Sequence, residues 1–412
     1  MSLDLPKCRH CGNALKQTLV DLGLSPLANS YVPLDRAAEP DNFYPLHARV
    51  CGTCLLVQVD DVVPAEEIFS SEYAYFSSYS KSWLEHCKRY ADDMRDRLDL
   101  ADDSLVLEIA SNDGYLLQFF AEHGIPVLGV EPTSNTAEVA VSKGIPTRVE
   151  FFTESLATTL VAEGVAPKLI CSANVLAHVP DINDFVAGVA TLLSPESIYT
   201  VEFPHLLNLI EYVQFDTIYH EHFSYLSLVA VENIFKAHGL RVFDVQQLPT
   251  HGGSLRVFAC LDAADWQEEE GLYAVRNAER AAGLHDLDGY NGFDPRVRAV
   301  REGLLKFLGD ARRDGKVVAA YGAAAKGNTL LNYCGVGPDL ISYCVDMNPA
   351  KQETLLPGSR IPVYAAERLD EVPPDYVLIL PWNLRDEIVR QLDDLRQRGT
   401  RMVTAVPHID IV

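Results

Sequence analysis

Short hydrophobic runs alternate with stretches of helical length through the middle of the chain. Stretches of helical length cover residues 115–123 and 182–193, and four short hydrophobic runs lie around them: residues 104–110, 126–130, 168–172 and 197–203. This alternation is typical of a doubly wound parallel sheet with helices packed on its faces. We therefore predict a central α/β domain with a Rossmann-like sheet.

Two further runs, residues 240–248 and 253–261, are joined by a short turn around Pro249. Their closeness predicts an antiparallel pair that closes the central sheet. A second alternation begins after a charged helical stretch, and its hydrophobic runs are residues 317–321, 340–345, 361–363, 376–380 and 401–405. The C-terminal third is therefore predicted to be a second, smaller Rossmann-like α/β domain.

The N-terminal region has a different pattern. Residues 1–71 contain several prolines and little helical periodicity, which predicts a small module of short strands and loops. From residue 72 to residue 100 the pattern becomes amphipathic, because Tyr90, Met94 and Leu98 recur at helical spacing. A connecting helix is expected there.

Four cysteines in this module form two CxxC pairs, Cys8 with Cys11 and Cys51 with Cys54. Two such pairs supply four thiolates, which can close a tetrahedron around zinc and leave no open coordination position. We expect a structural zinc site, against the alternatives of coincidental cysteines or a redox pair. The stretch between the pairs is longer than usual, and a hairpin over residues 31–44 would account for its length.

The chain has 412 residues, which is too long for one hydrophobic core and predicts two or three domains. The patterns divide it into a zinc-binding module at 1–71, a central domain at 72–262 and a C-terminal domain at 263–412. The other five cysteines are single and lie mostly in hydrophobic runs, which favours reduced thiols. No run approaches the length that spans a bilayer, and the first residues lack a secretory signal, so we expect a cytoplasmic protein. We also expect a monomer.

Acidic residues outnumber basic ones by 58 to 34, which gives a formal net charge of -24. A surface this negative repels nucleic acid and anionic bilayers at long range, so neither is an expected partner. An anionic small-molecule substrate would need a local basic pocket. The cations that we favour for it are Lys81, Arg256 and Lys326.

Residues 106–114 read VLEIASNDG, a hydrophobic strand that ends in small and polar residues before a helix. A ligand can approach the backbone amides of such a turn closely, although the run lacks the glycine spacing that seats a pyrophosphate. The candidate residues are Glu108, Ala110, Asn112 and Gly114. An acid, Glu131, follows the next strand, where a carboxylate can accept both hydroxyls of a ribose. The turn and this acid together predict a nucleoside ligand such as S-adenosylmethionine, and the alternative is an ordinary turn.

Two more segments extend this pocket. Phe152 lies in a pair of aromatic residues after the third strand and could stack on adenine or belong to the core. Asn174 and His178 follow the fourth strand, at the edge of the sheet where ligands bind. A lone histidine such as His178 is more often structural than catalytic.

Residues 219–222 read Tyr-His-Glu-His and concentrate titratable groups after the fifth strand. A histidine titrates near neutral pH, a neighbouring carboxylate can orient it, and a tyrosine can donate to a developing oxyanion. The cluster favours acid–base catalysis over the alternatives, which are a second metal site or a surface loop.

The C-terminal domain has a strand, a turn of small residues and a helix start with a lysine at residues 318–327. Backbone amides and Lys326 could hold a diphosphate there. Asp346, after the following strand, is the only support for NAD. A simple packing turn is the alternative.

Taken in order, these segments resemble the zinc-containing C-methyltransferases that act on nucleoside diphosphate 4-keto-deoxysugars, a family that includes the 3-C-methyltransferase of tetronitrose biosynthesis. The likeness covers nearly the whole chain. The segments that carry it are the two CxxC pairs, EYAYFSSYS, VLEIASNDGYLL, VEP, FFT, ANVLAH, YHEH, LPTHGGSLRV, YGAAAKGNTLLNYCGVGPD and PGSRIPV. The family implies a zinc-binding N-terminal domain, a central S-adenosylmethionine domain and a C-terminal domain that helps to hold the nucleotide sugar.

The resemblance also implies roles for single residues. The family's catalytic base falls on His222, its partner acid on Glu221 and its assisting tyrosine on Tyr219. Its other active-site histidine falls on His178. One position departs from the family pattern, because His220 stands where an acid is expected.

The family's substrate-facing segment falls on Tyr73 and on residues 77–80, which include Ser78 and Tyr79. The implied reaction removes a proton next to the keto group, forms an enolate and methylates C-3 or C-5, with zinc outside the chemical step. The expected nucleotide is thymidine diphosphate (dTDP). Two other functions stay open at this point: an NAD-dependent oxidoreductase of nucleotide sugars that uses the C-terminal domain, and a zinc-ribbon adaptor that binds macromolecules.

Overall fold

The structure, a computed structural model, describes residues 5–64 and 76–412. Its strands in chain order are β1 Gln17–Ser25, β2 Val32–Pro33, β3 Tyr44–Val50, β4 Val57–Gln58, β5 Leu105–Ile109, β6 Val127–Val130, β7 Thr147–Arg148, β8 Pro167–Ala173, β9 Ile198–Pro204, β10 Ser224–Tyr225, β11 Leu240–Leu248, β12 Ser254–Leu261, β13 Val318–Tyr321, β14 Cys344–Val345, β15 Thr354–Leu355, β16 Pro362–Tyr364, β17 Tyr376–Ile379, β18 Arg401–Thr404 and β19 Asp410–Ile411.

The α-helices of the described residues are α1 Lys81–Leu98, α2 Leu117–Ala121, α3 Ser134–Ser142, α4 Glu154–Ala162, α5 Ile182–Leu192, α6 Leu206–Glu211, α7 Leu228–Ala237, α8 Glu270–Ala281, α9 Phe293–Arg313, α10 Ala325–Cys334, α11 Arg368–Glu371, α12 Arg385–Gln391 and α13 Asp393–Gln397. Single 3-10 turns form at Leu34–Arg36, Ser77–Tyr79, Leu176–His178, Phe215–Thr217, Thr250–Gly252, Leu287–Tyr290 and Trp382–Leu384. In the described part of the chain no helix is long and apolar enough to cross a membrane.

The central sheet has seven strands in the order β11-β12-β9-β8-β5-β6-β7. Strands β7, β6, β5, β8 and β9 are parallel, whereas β12 runs antiparallel to both β9 and β11. Nearly every position of β8 and β9 is buried, because helices cover both faces of a parallel sheet. The predicted α/β class and the predicted closing pair are confirmed.

The C-terminal sheet has eight strands in the order β19-β18-β17-β13-β14-β16-β15-β2. Its middle strands are parallel, as expected for a second Rossmann-like domain. The run at 340–345 forms a strand only in its last two residues, β14. Ile341 and Tyr343 are buried without belonging to a strand, so burial produced a hydrophobic run that is longer than the strand itself.

The N-terminal module is built on an antiparallel pair of β1 and β3, and β10 of the central region completes its sheet in the order β1-β3-β4-β10. The expectation of a hairpin over residues 31–44 is wrong, because the hairpin strands are β1 and β3. The residues between them extend to the C-terminal sheet, where β2 pairs with β15. Because β2 and β10 both cross the proposed domain limits, the division into three domains stays a prediction.

The connecting helix α1 begins at Lys81, later than the periodicity predicts. Ser80 ends the preceding segment and caps the helix, since its side chain accepts a hydrogen bond from the Trp83 amide at 3.3 Å. Tyr90, Met94 and Leu98 are buried against the central sheet, as their spacing predicts. The helix thereby places Trp83 of its first turn beside the carboxyl edge of that sheet.

Candidate active site

The four cysteines of the CxxC pairs form one compact cluster. Their sulfur atoms all lie within 4.8 Å of one another, with Cys8 Sγ 3.5 Å from Cys54 Sγ and Cys11 Sγ 3.4 Å from Cys51 Sγ. Four thiolates bound to one zinc ion at about 2.3 Å would lie at roughly these separations. The donor set therefore fits a closed, structural zinc site.

Two amides support negative charge at this cluster. Gln58 Nε2 donates to Cys8 Sγ at 3.2 Å, and Asn13 Nδ2 donates to Cys11 Sγ at 3.3 Å. Hydrogen bonding from Cys51 and Cys54 lowers the pKa of Cys8. The hydrogen bonds from Gln58 and Asn13 orient the sulfur ligands and favour the thiolate form that zinc requires.

The turn after β5 carries the backbone geometry of a ligand site. Ala110, Asn112 and Gly114 all have positive φ, at 57°, 48° and 76°. Alanine adopts this conformation at a cost in free energy, so surrounding contacts must hold it, and such strain clusters at functional sites. Asn174, at the end of β8 on the same edge of the sheet, also has a positive φ of 57°.

Glu131 holds this turn in place. Its Oε2 accepts a hydrogen bond from the Asn112 amide at 2.9 Å, and its Oε1 accepts one from the Thr133 amide at 2.9 Å. Oε1 also accepts a hydrogen bond from the Thr133 hydroxyl, so the second lone pair of Oε2 is the one left for a ribose hydroxyl. Glu108 lies fully buried under the turn beside Tyr115, and burial raises the pKa of its carboxyl group.

The segment at 76–80 packs on the same turn. The Ser77 amide donates to Asn112 Oδ1 at 3.0 Å, and Lys143 Nζ donates to Ser78 Oγ at 3.0 Å. Tyr79 and Lys81 are exposed. The structure thus places Ser78 at the cofactor turn, while Tyr73 lies outside the described residues.

Phe152 is a core residue in this structure. Its ring packs edge-on against Phe185 at 5.4 Å, and a Cβ on Gly188 would lie only 2.9 Å from its Cε1 atom. The side chain is buried. This packing favours the core alternative, and the adenine-stacking role of Phe152 stays a prediction.

His222 is held in one tautomer by its neighbours. Its Nδ1 lies 2.9 Å from the carbonyl oxygen of Thr217, so this nitrogen carries the proton and donates it to the carbonyl. Nε2 then has the lone pair, and it accepts a hydrogen bond from the Tyr219 hydroxyl at 2.9 Å. The pair is arranged as a base and an adjacent hydroxyl group.

His178 and Glu221 are arranged differently from the expectation. His178 Nδ1 donates to the backbone carbonyl of Glu221 at 2.7 Å, and its ring meets that of His222 at a centroid distance of 4.6 Å. The Glu221 carboxylate instead accepts from Asn29 Nδ2, which lies 2.8 Å from both oxygens. The expected steering of His222 by Glu221 is therefore wrong, because the Thr217 carbonyl does this and the Glu221 side chain points to the N-terminal module.

The surroundings of His178 and His222 favour the neutral form of both imidazoles at neutral pH. Burial lowers the pKa of His178 to about 4. Burial also lowers the pKa of His222 well below its usual value, and the positive charge of Lys326 acts in the same direction. A neutral imidazole can act as a base, which is the form that proton abstraction requires.

The C-terminal domain supports this cluster directly. Trp382 Nε1 donates to Asp216 Oδ2 at 2.7 Å, and Thr329 Oγ1 donates to the Ile218 carbonyl at 3.1 Å. Lys326 Nζ lies 4.6 Å from the centre of the Trp382 ring. The segment before His222 is thus attached to α10 and to the turn after β17.

Arg256 is not available to a substrate. Its Nε donates to Glu202 Oε1 at 2.7 Å, its NH1 donates to Gln246 at 2.8 Å, and the guanidinium lies over the Tyr90 ring. The residue is buried within β12, where the Glu202 carboxylate neutralises it. The expectation that Arg256 binds the diphosphate is corrected for this reason.

Sequence reasoning missed several residues around the histidines. Asn29, Asp216, His251 and Trp382 come from distant segments, and none belongs to a recognisable catalytic motif. For His251 a signal was present, because a non-glycine residue before two glycines in Thr-His-Gly-Gly indicates a tight turn. For the other three the sequence contains no such signal.

Three family models match the chain. Residues 8–69 match one described as "Putative zinc binding domain", residues 83–245 one described as "Methyltransferase domain", and residues 249–407 one described as "C-methyltransferase C-terminal domain". C-methyltransferase NovU from Streptomyces niveus is 35% identical over 408 residues, which are 99% of this chain and 97% of that protein. The chain belongs to this C-methyltransferase family.

Solved structures show a weaker likeness. Magnesium protoporphyrin IX methyltransferase from Synechocystis PCC 6803, solved with bound SAM, is 15% identical with a TM-score of 0.35, over 49% of this chain and 99% of that chain. A SAM-dependent methyltransferase from Archaeoglobus fulgidus is 11% identical with a TM-score of 0.34, over 42% and 93%. Membership of the family rests on the sequence matches alone.

The enzyme is therefore an S-adenosylmethionine-dependent C-methyltransferase with a zinc-binding N-terminal domain. The predicted S-adenosylmethionine-dependent C-methyltransferase activity and the two predicted cofactors are confirmed. The matches over 83–245 and 249–407 decide against the oxidoreductase and adaptor alternatives, since both regions match methyltransferase domains.

Proposed function

We propose that this C-methyltransferase acts on a nucleoside diphosphate 4-keto-deoxysugar, with dTDP as the nucleotide, and methylates C-3 or C-5 next to the keto group. The observation that carries the proposal is the neutral His222, whose Nδ1 proton is held by the Thr217 carbonyl. Carbon becomes nucleophilic only after it loses a proton, and a keto group acidifies the neighbouring C–H bond. A fixed neutral imidazole suits that step.

In the proposed reaction, His222 Nε2 takes the proton from the carbon next to the keto group. The electron pair of that C–H bond forms the enolate, and the negative charge moves to the former keto oxygen. The enolate carbon would form its new bond to the methyl group that S-adenosylmethionine supplies when bound. The electron pair of the broken S–C bond would stay on sulfur, which leaves neutral S-adenosylhomocysteine, and the keto C=O bond would re-form. His222 later releases its proton to water, so protons and charge balance.

Tyr219 would assist His222 both before and after Nε2 takes up the proton. Before the reaction its hydroxyl proton is directed at Nε2, and the approach of the substrate carbon would displace this hydrogen bond. Once Nε2 is protonated, the hydroxyl oxygen can accept from it instead. Tyr219 would thereby stabilise the imidazolium that forms during the reaction.

Mass spectrometry would test the substrate class. The enzyme would be incubated with labelled S-adenosylmethionine and a panel of nucleotide sugars, with and without a 4-keto group. We expect a labelled methyl group on carbon only in the 4-keto compounds. Transfer to an oxygen atom, or to sugars without the keto group, would contradict the proposed enolate.

Glu131→Ala is expected to weaken S-adenosylmethionine binding at least tenfold in calorimetry. A charge-assisted hydrogen bond to the ribose contributes roughly 1.5 to 3 kcal/mol, and the variant also loses the acceptor that holds the Asn112 amide. Glu138→Ala is the matched control, because that glutamate lies exposed on the following helix. Equal affinity of Glu131→Ala and wild type would show that the acid only supports the turn.

The rate should stay constant down to a pH below the usual histidine range. The pKa of His222 is lowered, so its base form persists as the pH falls and kcat/KM should decline only when the pH passes through that lowered pKa. Lys326→Met removes a positive charge that lowers the pKa of His222. The acid limb, meaning the low-pH part of the kcat/KM profile where the rate falls, should therefore move to higher pH. The variant should also raise KM for the sugar nucleotide, since Lys326 is proposed to contact its anionic groups.

Lys351→Met is the control for this measurement. Lys351 Nζ donates to the Ala323 carbonyl at 2.7 Å, and its charge is not among those that lower the pKa of His222. An acid limb that moves equally in both lysine variants would contradict the assignment of that limb to His222.

A further inference from the structure

His251 lies at the carboxyl edge of the central sheet in a constrained turn. Its φ is 55°, although it is not a glycine, and Gly252 follows with a φ of 90°. A Cβ on Gly252 would lie 2.6 Å from Cη2 of Trp382, so the turn is pressed against the C-terminal domain. Strain of this kind persists only when surrounding contacts hold it, and it concentrates at active sites.

Asn174 and Trp83 hold the imidazole of His251 on the side of the proposed cofactor site. Its Nε2 lies 3.2 Å from Asn174 Nδ2, and its ring meets the Trp83 ring at a centroid distance of 5.7 Å. The Asn174 amide donates to Nε2, so the ring proton is on Nδ1. Within residues 5–64 and 76–412 no hydrogen bond to this Nδ1–H is found, and the side chain is exposed.

His251 is also neutral. The residue stays partly open to solvent, but the protein groups crowded around its ring desolvate it and lower its pKa to about 4; the charge of Lys326 acts in the same direction, while Glu202 opposes it. A neutral imidazole with a free N–H is a hydrogen-bond donor that does not lose its proton at neutral pH. Such a donor, fixed before the substrate arrives, stabilises a developing oxyanion.

Two other donors near the cleft, Tyr219 and His178, direct their protons at protein atoms. The Tyr219 hydroxyl proton points at His222 Nε2, and the His178 Nδ1 proton points at the Glu221 carbonyl. The two groups that the sequence offers as oxyanion donors thus direct their protons at protein atoms. His251 Nδ1–H is directed at none of the described residues.

We propose that His251 binds the keto oxygen of the acceptor substrate, with its Nδ1–H donating to that oxygen as the enolate forms. The inference rests on the proposed function, because it requires a carbonyl oxygen that becomes negative. No proton is transferred to the oxygen. The role of His251 is hydrogen bonding, while His222 accepts the proton from carbon.

The pair His251→Asn and His251→Asp separates the hydrogen bond from the backbone. Both residues tolerate positive φ, but only the asparagine places an N–H donor near the position of Nδ1. The readouts are kcat, KM, the melting temperature, S-adenosylmethionine affinity, and exchange of the hydrogen next to the keto group with deuterated water in the presence of S-adenosylhomocysteine. Exchange reports deprotonation without methyl transfer.

We expect His251→Asp to lose roughly 100-fold or more in kcat and in exchange, as when an oxyanion donor is removed, with unchanged cofactor affinity and melting temperature. His251→Asn should stay within about tenfold of wild type. Wild-type exchange in His251→Asp, or an equal loss in both folded variants, would overturn the role of His251 alone. Absence of exchange in the wild-type enzyme with every 4-keto nucleotide sugar would overturn the proposed function and this role with it.

Discussion

His222→Asn should reduce turnover by roughly 100-fold or more, the usual size of general-base catalysis. Asparagine can still donate to the Thr217 carbonyl from a position near Nδ1, so the local structure should survive. It has no basic nitrogen at the position of Nε2, so the proton on carbon has no acceptor. Binding of S-adenosylmethionine and of the nucleotide sugar should change little, which calorimetry would check.

Isotope exchange tests the base directly. His222→Asn should stop exchange of the C-3 or C-5 hydrogen with deuterated water when S-adenosylhomocysteine occupies the cofactor site. His123→Asn, at an exposed histidine in the turn after α2, is the control and should exchange like wild type. If His222→Asn exchanged normally and His178→Asn did not, the base would be His178.

Cys51→Ser should cause the largest loss of stability. It removes one of four zinc ligands, and structural zinc contributes roughly 10 kcal/mol or more to the folding of small zinc-binding peptides. A domain's net stability is of similar size, about 5 to 15 kcal/mol. We expect most of the protein to become insoluble, and elemental analysis of the soluble remainder should find less than one zinc per chain.

Cys51→Ser should affect the chemical step far less than it affects stability. Turnover per folded, zinc-containing molecule should stay near the wild-type value, because the thiolates lie outside the histidine cluster. Cys334→Ser is the matched control, since this buried cysteine lies in α10 and outside the metal cluster. It should keep one zinc per chain. Wild-type protein purified without chelator and free of metal would contradict the zinc assignment.

The sequence predicted the sheets well because burial determines them. The runs that become β5, β8, β9 and β17 are mostly hydrophobic, and nearly every position of these strands is buried, as expected for strands covered on both faces. The run at 340–345 shows the limit of this signal, because buried connections such as the one at Ile341 are equally hydrophobic.

The candidate site was only partly predictable. Tyr219 and His222 could be named because they lie three residues apart in one short run. The direction of a side chain could not be predicted in this way. Glu221 is next to His222 in the sequence, yet its carboxylate contacts Asn29. For Arg256 the sequence could not show whether its charge is free. Composition gives the number of cations but does not show which carboxylates neutralise them. His251 reaches the site from between β11 and β12, through long-range packing that no local pattern encodes.

The exchange of strands between regions has a consequence for recombination and engineering. The residues between β1 and β3 contribute the edge strand β2 to the C-terminal sheet and fasten it through the Arg360 to Asp41 ion pair at 2.8 Å and the Asn328 to Ala28 hydrogen bond at 2.7 Å. A chimaera that takes its C-terminal third from a homologue would break these contacts unless residues 26–43 came from the same parent. Because Asn29 lies in that stretch and holds Glu221, such a mismatch would reach the catalytic histidines. In this chain the segment that must be exchanged as a unit is therefore discontinuous in sequence, because residues 26–43 belong structurally with the distant C-terminal third.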